Sequence, residues 1–260
     1  MFEFRTAHTL LELTLLFFVG AVASAINAVA GGGSLLTYPF LTVGLGIAPV
    51  TANASNSVAL WPGSLAGALG LLNQLARTGR YFWKFALPTA IGAAVGAELL
   101  VHTSQRSFVR IVPWLILISA VVIAAQPRIK TWTTTVSHHA SSVWSLGLQV
   151  LVAIYGGYFG AGMGIMMLAA FALSVEGDIH ELNAIKNWLA LLINLVASVY
   201  FISVGIVLVH IALVLAAGAI VGGLVAARLS QRIESERLRV AIAIYGFAMA
   251  AFFFYRALGA

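Results

Sequence analysis

The sequence contains no cysteine and little charge, and both shortages exclude whole classes of protein. Without cysteine, the chain has no disulfides, no thiolate metal site and no cysteine nucleophile. Charged residues make up only 8% of the 260 residues, against 61% hydrophobic residues, whereas soluble domains carry about 25% charged residues. The composition therefore excludes a soluble domain, a disordered tail and a nucleic-acid-binding module, in spite of a net charge of +6.

The sequence has instead a series of apolar runs separated by charges, glycine clusters and prolines. A bilayer core about 30 Å thick is crossed by ~20 helical residues, and a segment surrounded by hydrocarbon satisfies its backbone groups as a helix. We therefore predict an all-α polytopic membrane protein with roughly eight to ten transmembrane helices. The apolar segments are 11–30, 34–47, 54–76, 82–101, 108–125, 143–160, 163–175, 182–204, 208–227 and 240–257.

Two of these segments, 34–47 and 163–175, are too short to span a bilayer. Each follows a cluster of glycines, so we predict short helices that are broken or re-entrant; whether they span or re-enter stays open. Arg5 and the small residues at 21–25 resemble a signal peptide, but segment 143–160 is equivalent in the second half of the chain. We therefore interpret 11–30 as a retained helix.

The chain repeats itself. At an offset of 130 residues Asn53-Ala54 matches Asn183-Ala184, and at an offset of 126 residues Gly92 and Gly96 match Gly218 and Gly222. The tripeptide at 104–106, Ser-Gln-Arg, returns at 230–232. We predict a first transmembrane repeat at 1–127, a polar linker at 128–142 and a second repeat at 143–260.

Each repeat holds five apolar segments, and an odd number of crossings inverts the second copy relative to the first. Loop charges favour this interpretation, because cytoplasmic loops are enriched in Lys and Arg. If all ten segments cross, one side holds Arg77, Arg80, Lys84, Arg128, Lys130, Lys186, Arg228, Arg232, Arg237 and Arg239, and the other holds Arg5, Arg106, Arg110 and Arg256. We predict inverted repeats in the cytoplasmic (inner) membrane, with both termini outside.

Inverted repeats with broken helices are typical of secondary transporters, which bind substrate near the bilayer midplane. A short helix that begins after a glycine cluster directs free N–H groups and a partial positive charge into the protein, and such ends bind anions. The glycines at these breaks are Gly31, Gly32 and Gly33, with the hydroxyl of Ser34 beside them, and Gly160, Gly162 and Gly164.

Polar side chains form a second group of candidates at the start of two apolar segments. They are Asn53, Ser55, Asn56 and Ser57, with Asn183, Lys186, Asn187 and Asn194 in the second repeat. They line a substrate path, or else they form hydrogen bonds between helices; capping is the stronger interpretation for Thr51 and Asn53. Lys186 either balances an anionic substrate or extends to the membrane interface.

At these residues the sequence resembles the TauE/SafE sulfite exporter family. The resemblance rests on the segments 30–34, 51–57 and 92–96, and on their second copies, from 160–164 through 218–239. It implies an inner-membrane carrier, often an exporter, of small sulfur-containing anions such as sulfite, thiosulfate, sulfoacetate or another organosulfonate. It also implies that the glycine breaks, the segment 53–57, Asn183 and Asn187 line the path.

Other interpretations remain open. A carrier of another small organic anion fits the same pattern, and so does an anion channel, although no ring of charge indicates a pore. An intramembrane serine hydrolase built on Ser34 is disfavoured, because no histidine lies well inside a helix. We predict no enzyme activity, catalytic residue, cofactor or metal site. The predicted partners are a small anionic substrate and the lipid bilayer but no nucleic acid, and a homodimer is one alternative for the assembly.

Overall fold

The computed structural model describes residues 9–30, 32–69, 72–135, 142–172, 179–229 and 235–258. These residues form ten α-helices and one π-helical segment, Phe40–Gly44, that continues the second helix; they include no strand. The helices are α1 Leu10–Ala30, α2 Gly33–Pro39, α3 Pro49–Leu69, α4 Leu72–His102, α5 Gln105–Thr135, α6 Ser142–Tyr158, α7 Met163–Ala172, α8 Ile179–Val204, α9 Val209–Leu229 and α10 Ser235–Leu258. The predicted all-α polytopic fold is confirmed.

Within the described ranges, six helices are long and apolar enough to cross a membrane. They lie in α1, α4, α5, α8, α9 and α10. The apolar part of α6, Val143–Tyr158, is shorter, and α3 has 21 residues but carries the Asn/Ser-rich segment. The segments predicted to be short are short, since α2 has 7 residues before its π-helical continuation and α7 has 10.

Several helix boundaries differ from the predicted apolar segments. Helix α3 begins at Pro49 rather than 54 and ends at Leu69, so residues 72–76 belong to α4. The polar residues at 51–53 lie inside α3, which begins with Pro49, a residue favoured at the first position of a helix. Helix α5 has 31 residues and continues to Thr135, which makes residues 128–135 of the predicted linker helical. At about 46 Å, α5 is longer than a bilayer core is thick.

Hydrogen bonds between helix ends show how the helices run. We call the end of the bundle where α4 ends and α5 begins the His102 end, and the opposite end the Leu72 end. Helix α3 begins at the His102 end, where Val50 N donates to Gln105 Oε1 at 2.9 Å. Helix α9 begins there too, because Leu208 N, just before α9, donates to Ser55 Oγ at 2.9 Å. Only four residues separate the end of α8 from the start of α9, so α8 ends at the His102 end as well. Helix α3 is therefore antiparallel to its counterpart α8, and α4 to α9, as inverted repeats require.

The repeats are also interleaved, because helices of one pack on helices of the other. Helix α1 packs on α9, and the equivalent pair is α6 on α4. The matched glycines form these contacts: a Cβ at Gly222 would lie 1.9 Å from Ala21 O, and a Cβ at Gly96 would lie 2.1 Å from Ile154 O. The close helix packing expected of the repeated glycine spacing is confirmed.

The core contains an aromatic cluster that holds the first short helix in place. The Tyr38 side chain in α2 is 1% exposed. Its ring makes edge-on contacts with Phe108 of α5 and Phe159 after α6, with centroid distances of 6.3 and 5.6 Å. Large apolar side chains such as Leu213, 65% exposed, cover the outer faces instead, as expected of a surface in contact with lipid.

Candidate functional site

The two predicted helix breaks are real interruptions. In the first repeat α1 ends at Ala30 and α2 begins at Gly33; Gly31 lies outside the described residues. In the second repeat α6 ends at Tyr158 and α7 begins at Met163. Gly160 and Gly162, in the second break, have positive φ angles of 82° and 75°, a backbone conformation that glycine adopts without steric penalty.

Both breaks lie against the same face of α5. A Cβ at Gly162 would lie 3.5 Å from Ser119 Cα, and a Cβ at Gly32 would lie 2.8 Å from Ile123 Cδ1. Ser119 and Ile123 are four residues apart, so they are neighbours on one helix face. Both lie inside the apolar span Gln105–Ile129. The fold therefore brings the two breaks together at mid-depth in the bundle.

Two hydroxyl groups that the sequence analysis missed hold the second break. Tyr155 Oη donates to the Ala161 carbonyl at 2.7 Å. Ser119 Oγ lies 2.7 Å from Tyr155 Oη, 2.7 Å from the Leu115 carbonyl and 3.0 Å from the Ala161 carbonyl, and its single hydrogen serves one of these acceptors. They fix the peptide between the left-handed glycines, immediately before α7. The only sequence signal was a serine within an otherwise apolar stretch of α5.

Asn56 connects α3 to α2. Its Oδ1 accepts a short hydrogen bond from Thr37 Oγ1, and Thr37 Oγ1 also lies 3.3 Å from the Gly33 carbonyl. Asn56 is 1% exposed. No hydrogen bond of its amide nitrogen to the described residues is found, so this group presents donors beside the first short helix. Ser34, in the first turn of that helix, is half-buried.

Lys186 lies along the start of the second short helix. A Cβ at Gly164 would lie 3.3 Å from Lys186 Cδ, and Lys186 Nζ donates to Asn183 Oδ1 at 3.2 Å. Both side chains are half-buried. The cationic head group and the amide of Asn183 therefore lie beside the second break.

Two predicted residues of α3 form cross-links to other helices, and a third, Ser57, bonds within α3. Asn53 Nδ2 donates to the Tyr158 carbonyl at 2.8 Å, Ser55 Oγ accepts from Leu208 N, and Ser57 Oγ donates to the Asn53 carbonyl at 3.1 Å. The capping interpretation is wrong for Asn53, because α3 begins four residues earlier, at Pro49. Ser55 instead satisfies an N–H at the start of α9.

The remaining candidates lie on α8. Asn187 is half-buried and Asn194 is 8% exposed; within the described ranges neither side chain has a hydrogen-bond partner. The described residues include no group of three or more His, Asp or Glu side chains that could hold a metal ion. What the fold brings together is therefore two helix starts with amide and ammonium donors beside them.

Comparison with known proteins finds a family model and several relatives that match most of the chain. The family model described as "Sulfite exporter TauE/SafE" matches residues 16–253. A "Probable membrane transporter protein" of Haemophilus influenzae is 27% identical over 239 residues, which cover 92% of this chain and 93% of that protein. "Probable membrane transporter protein ORF9" of a Sinorhizobium species is 26% identical over 245 residues, covering 92% and 90%.

A third relative is the "Probable membrane transporter protein YfcA" of Escherichia coli K12. It is 24% identical over 246 residues, covering 93% of this chain and 89% of that protein. No solved structure matches the chain. The family match spans nearly all of both repeats. The chain is therefore a multi-pass membrane transporter that belongs to the sulfite exporter TauE/SafE family.

Proposed function

We propose that the protein is a secondary transporter that exports a small sulfur-containing anion, such as sulfite, thiosulfate or an organosulfonate, across the cytoplasmic membrane. The observation that carries the proposal is the convergence of two helix breaks on adjacent turns of α5, at Ser119 and Ile123. Broken helices at the interface of inverted repeats form the substrate sites of many secondary transporters. The family to which the chain belongs supports the sulfur-containing substrate.

The hydrogen-bond arrangement beside the breaks favours an anion. Asn56 and Asn183 each use the amide oxygen as an acceptor, from Thr37 and Lys186 respectively. The amide nitrogens, the ammonium of Lys186 and the N–H of Gly164 are donors, whereas the N–H groups of Met163 and Ile165 already donate to the Gly160 and Gly162 carbonyls. Oxygen atoms of a sulfonate or sulfite group accept such bonds, and those from charged donors are the strongest.

Alternating access then follows from the interleaved repeats. Helices α1 and α9 pack together across the repeats, as do α4 and α6, and α5 and α10 form a further pair. Rocking of one such unit against the others would open the region between the two breaks first towards one side and then towards the other.

The proposal is tested with purified protein in detergent and then in proteoliposomes. A thermal-shift assay compares sulfite, thiosulfate, taurine and sulfoacetate with carboxylate analogues of matched chain length. A ligand that binds only the folded state must stabilise it. We expect at least one sulfur-containing anion to raise the melting temperature and to show saturable counterflow in vesicles. Selective stabilisation by carboxylates would assign a different substrate class, and single-channel currents with non-saturating flux would replace the carrier with a channel.

The orientation of the protein in the membrane is a separate prediction. The Leu72 end of the bundle holds the start of α4 and the end of α9, close to Arg80, Lys84 and Arg228 in the sequence. We expect this end to face the cytoplasm. A green fluorescent protein inserted at 136–141 should fluoresce, whereas alkaline phosphatase fused after residue 260 should be active. The reverse pattern would contradict the assignment.

A further inference from the structure

Asn53 presents a buried oxygen that accepts no hydrogen bond from the part of the chain that is described. The residue is 1% exposed, and its Nδ2 donates to the Tyr158 carbonyl at 2.8 Å. A carbonyl only accepts, so the amide nitrogen must face Tyr158 and the amide oxygen must point elsewhere. That oxygen is buried without a partner. An anion requires donors and cannot satisfy it, whereas a cation can.

The same amide lies at the C-terminal end of a half-helix. Helix α6 ends at Tyr158, and Gly160 then turns the chain away with a φ of +82°. The last carbonyl groups of α6 therefore have few following N–H groups to accept from, and they carry the negative end of the helix dipole. In transporters with broken helices, half-helix C-terminal ends and unwound carbonyl groups coordinate sodium ions.

A second buried oxygen lies on α8, which packs against α3. Ser198 Oγ on α8 has no hydrogen-bond partner among the described residues, and Ser198 is 1% exposed. Asn53 is four residues inside the start of α3, and Ser198 is six residues before the end of the antiparallel α8. At 1.5 Å per residue, both lie about 6–9 Å inside the His102 end, and α3 and α8 pack together.

We propose that this region is a binding site for a sodium ion, with Asn53 Oδ1 and carbonyl groups at the end of α6 as ligands and Ser198 Oγ as a further oxygen. Neutral oxygen atoms suit a hard cation. A proton would need a titratable acceptor, and none of the described Asp and Glu residues is buried. This site uses oxygen acceptors, so it differs in chemistry from the donor-lined region proposed for the anion, and it goes beyond the proposed function.

The test uses the purified full chain and radioactive sodium, with chloride as the counter-ion and no sulfite, thiosulfate or organosulfonate present. We expect saturable binding of one ion per chain that unlabelled sodium displaces and choline does not. Asn53→Ala should weaken sodium binding about tenfold or more, the equivalent of one lost polar ligand. Gln149→Ala is the matched control, because Gln149 Oε1 is also buried and unpartnered but lies in the middle of α6.

Two outcomes would overturn the proposal. One is an absence of saturable sodium binding to the wild-type chain, together with equal melting temperatures in sodium chloride and choline chloride; a resident water would then account for the Asn53 oxygen. The other is sodium binding that Asn53→Ala and Gln149→Ala reduce equally. If Asn53→Ala does not fold, Ser198→Ala decides the question: it should weaken sodium binding, and unchanged binding would overturn the site between α3 and α8. Because no transported anion is used, either result leaves the anion-transport proposal to its own experiment.

Discussion

Lys186→Ala is expected to weaken binding of the transported anion about 10–100-fold, because a hydrogen bond to a charged group contributes roughly 1.5–3 kcal/mol. The lysine side chain lies along the start of α7, where a Cβ at Gly164 would come within 3.3 Å of its Cδ. Removing it withdraws the cationic donor at the second helix break and leaves the backbone N–H groups of that break in place. Binding should therefore weaken without being abolished.

Two further variants test whether the effect depends on a positive charge at position 186 or on the loss of any lysine. Lys186→Arg keeps the positive charge and should retain most of the affinity. Lys84→Ala removes another half-buried lysine, whose ammonium lies 5.6 Å from the centroid of the Phe85 ring on α4, and it should leave affinity unchanged. The measurement is the concentration dependence of the thermal shift, supported by counterflow at equal protein level. Equal affinities for Lys186→Ala and Lys84→Ala would remove Lys186 from the site.

The helices themselves could be predicted because the bilayer imposes one length and one composition on each. Apolar runs gave the positions of the ten helices, and the prediction was poorest where a helix leaves the apolar span. Helix α4 begins at Leu72, although its apolar span begins only at Tyr81. Polar residues there do not end the helix, since its backbone hydrogen bonds are as well satisfied outside the hydrocarbon as within it.

The roles of the polar residues could be predicted only in part, because each role depends on a partner that is distant in the sequence. The pattern marked Asn53 and Asn56 as equivalent members of one group. Their amides differ because Asn53 meets the Tyr158 carbonyl, 105 residues away, whereas Asn56 meets the Thr37 hydroxyl. The amide of Asn53 therefore keeps its oxygen as an unused acceptor, and the amide of Asn56 keeps its N–H groups as unused donors. No spacing in the sequence contains that difference.

The glycine repeat, in contrast, could be converted directly into a structural expectation. A glycine at a fixed spacing on two matched helices indicates close approach of backbones, and the four matched glycines lie in the two equivalent interfaces. This signal survives divergence of the repeats because a backbone carbonyl, unlike a side chain, cannot rotate away from a new methyl group.

For that reason, Gly222→Ala is expected to destabilise the protein by about 3 kcal/mol, at the upper end of ordinary overpacking. The added Cβ would lie 1.9 Å from the Ala21 carbonyl oxygen and 2.6 Å from its carbon, so α9 must move away from α1. Gly96→Ala should have a similar effect at the equivalent interface of α4 and α6, where the Cβ would lie 2.1 Å from Ile154 O.

Gly147→Ala makes the same chemical change without the contact, because nothing lies within 4 Å of a Cβ at Gly147 in α6. It should leave stability unchanged or raise it by up to about 1 kcal/mol, the usual gain from replacing glycine inside a helix. The free energy of unfolding in detergent, measured for all three variants, compares them directly. Equal free energies of unfolding for Gly222→Ala and Gly147→Ala would mean that α1 and α9 lie further apart than the close contact at Gly222 implies. The packing of one repeat on the other would then lose its main contact.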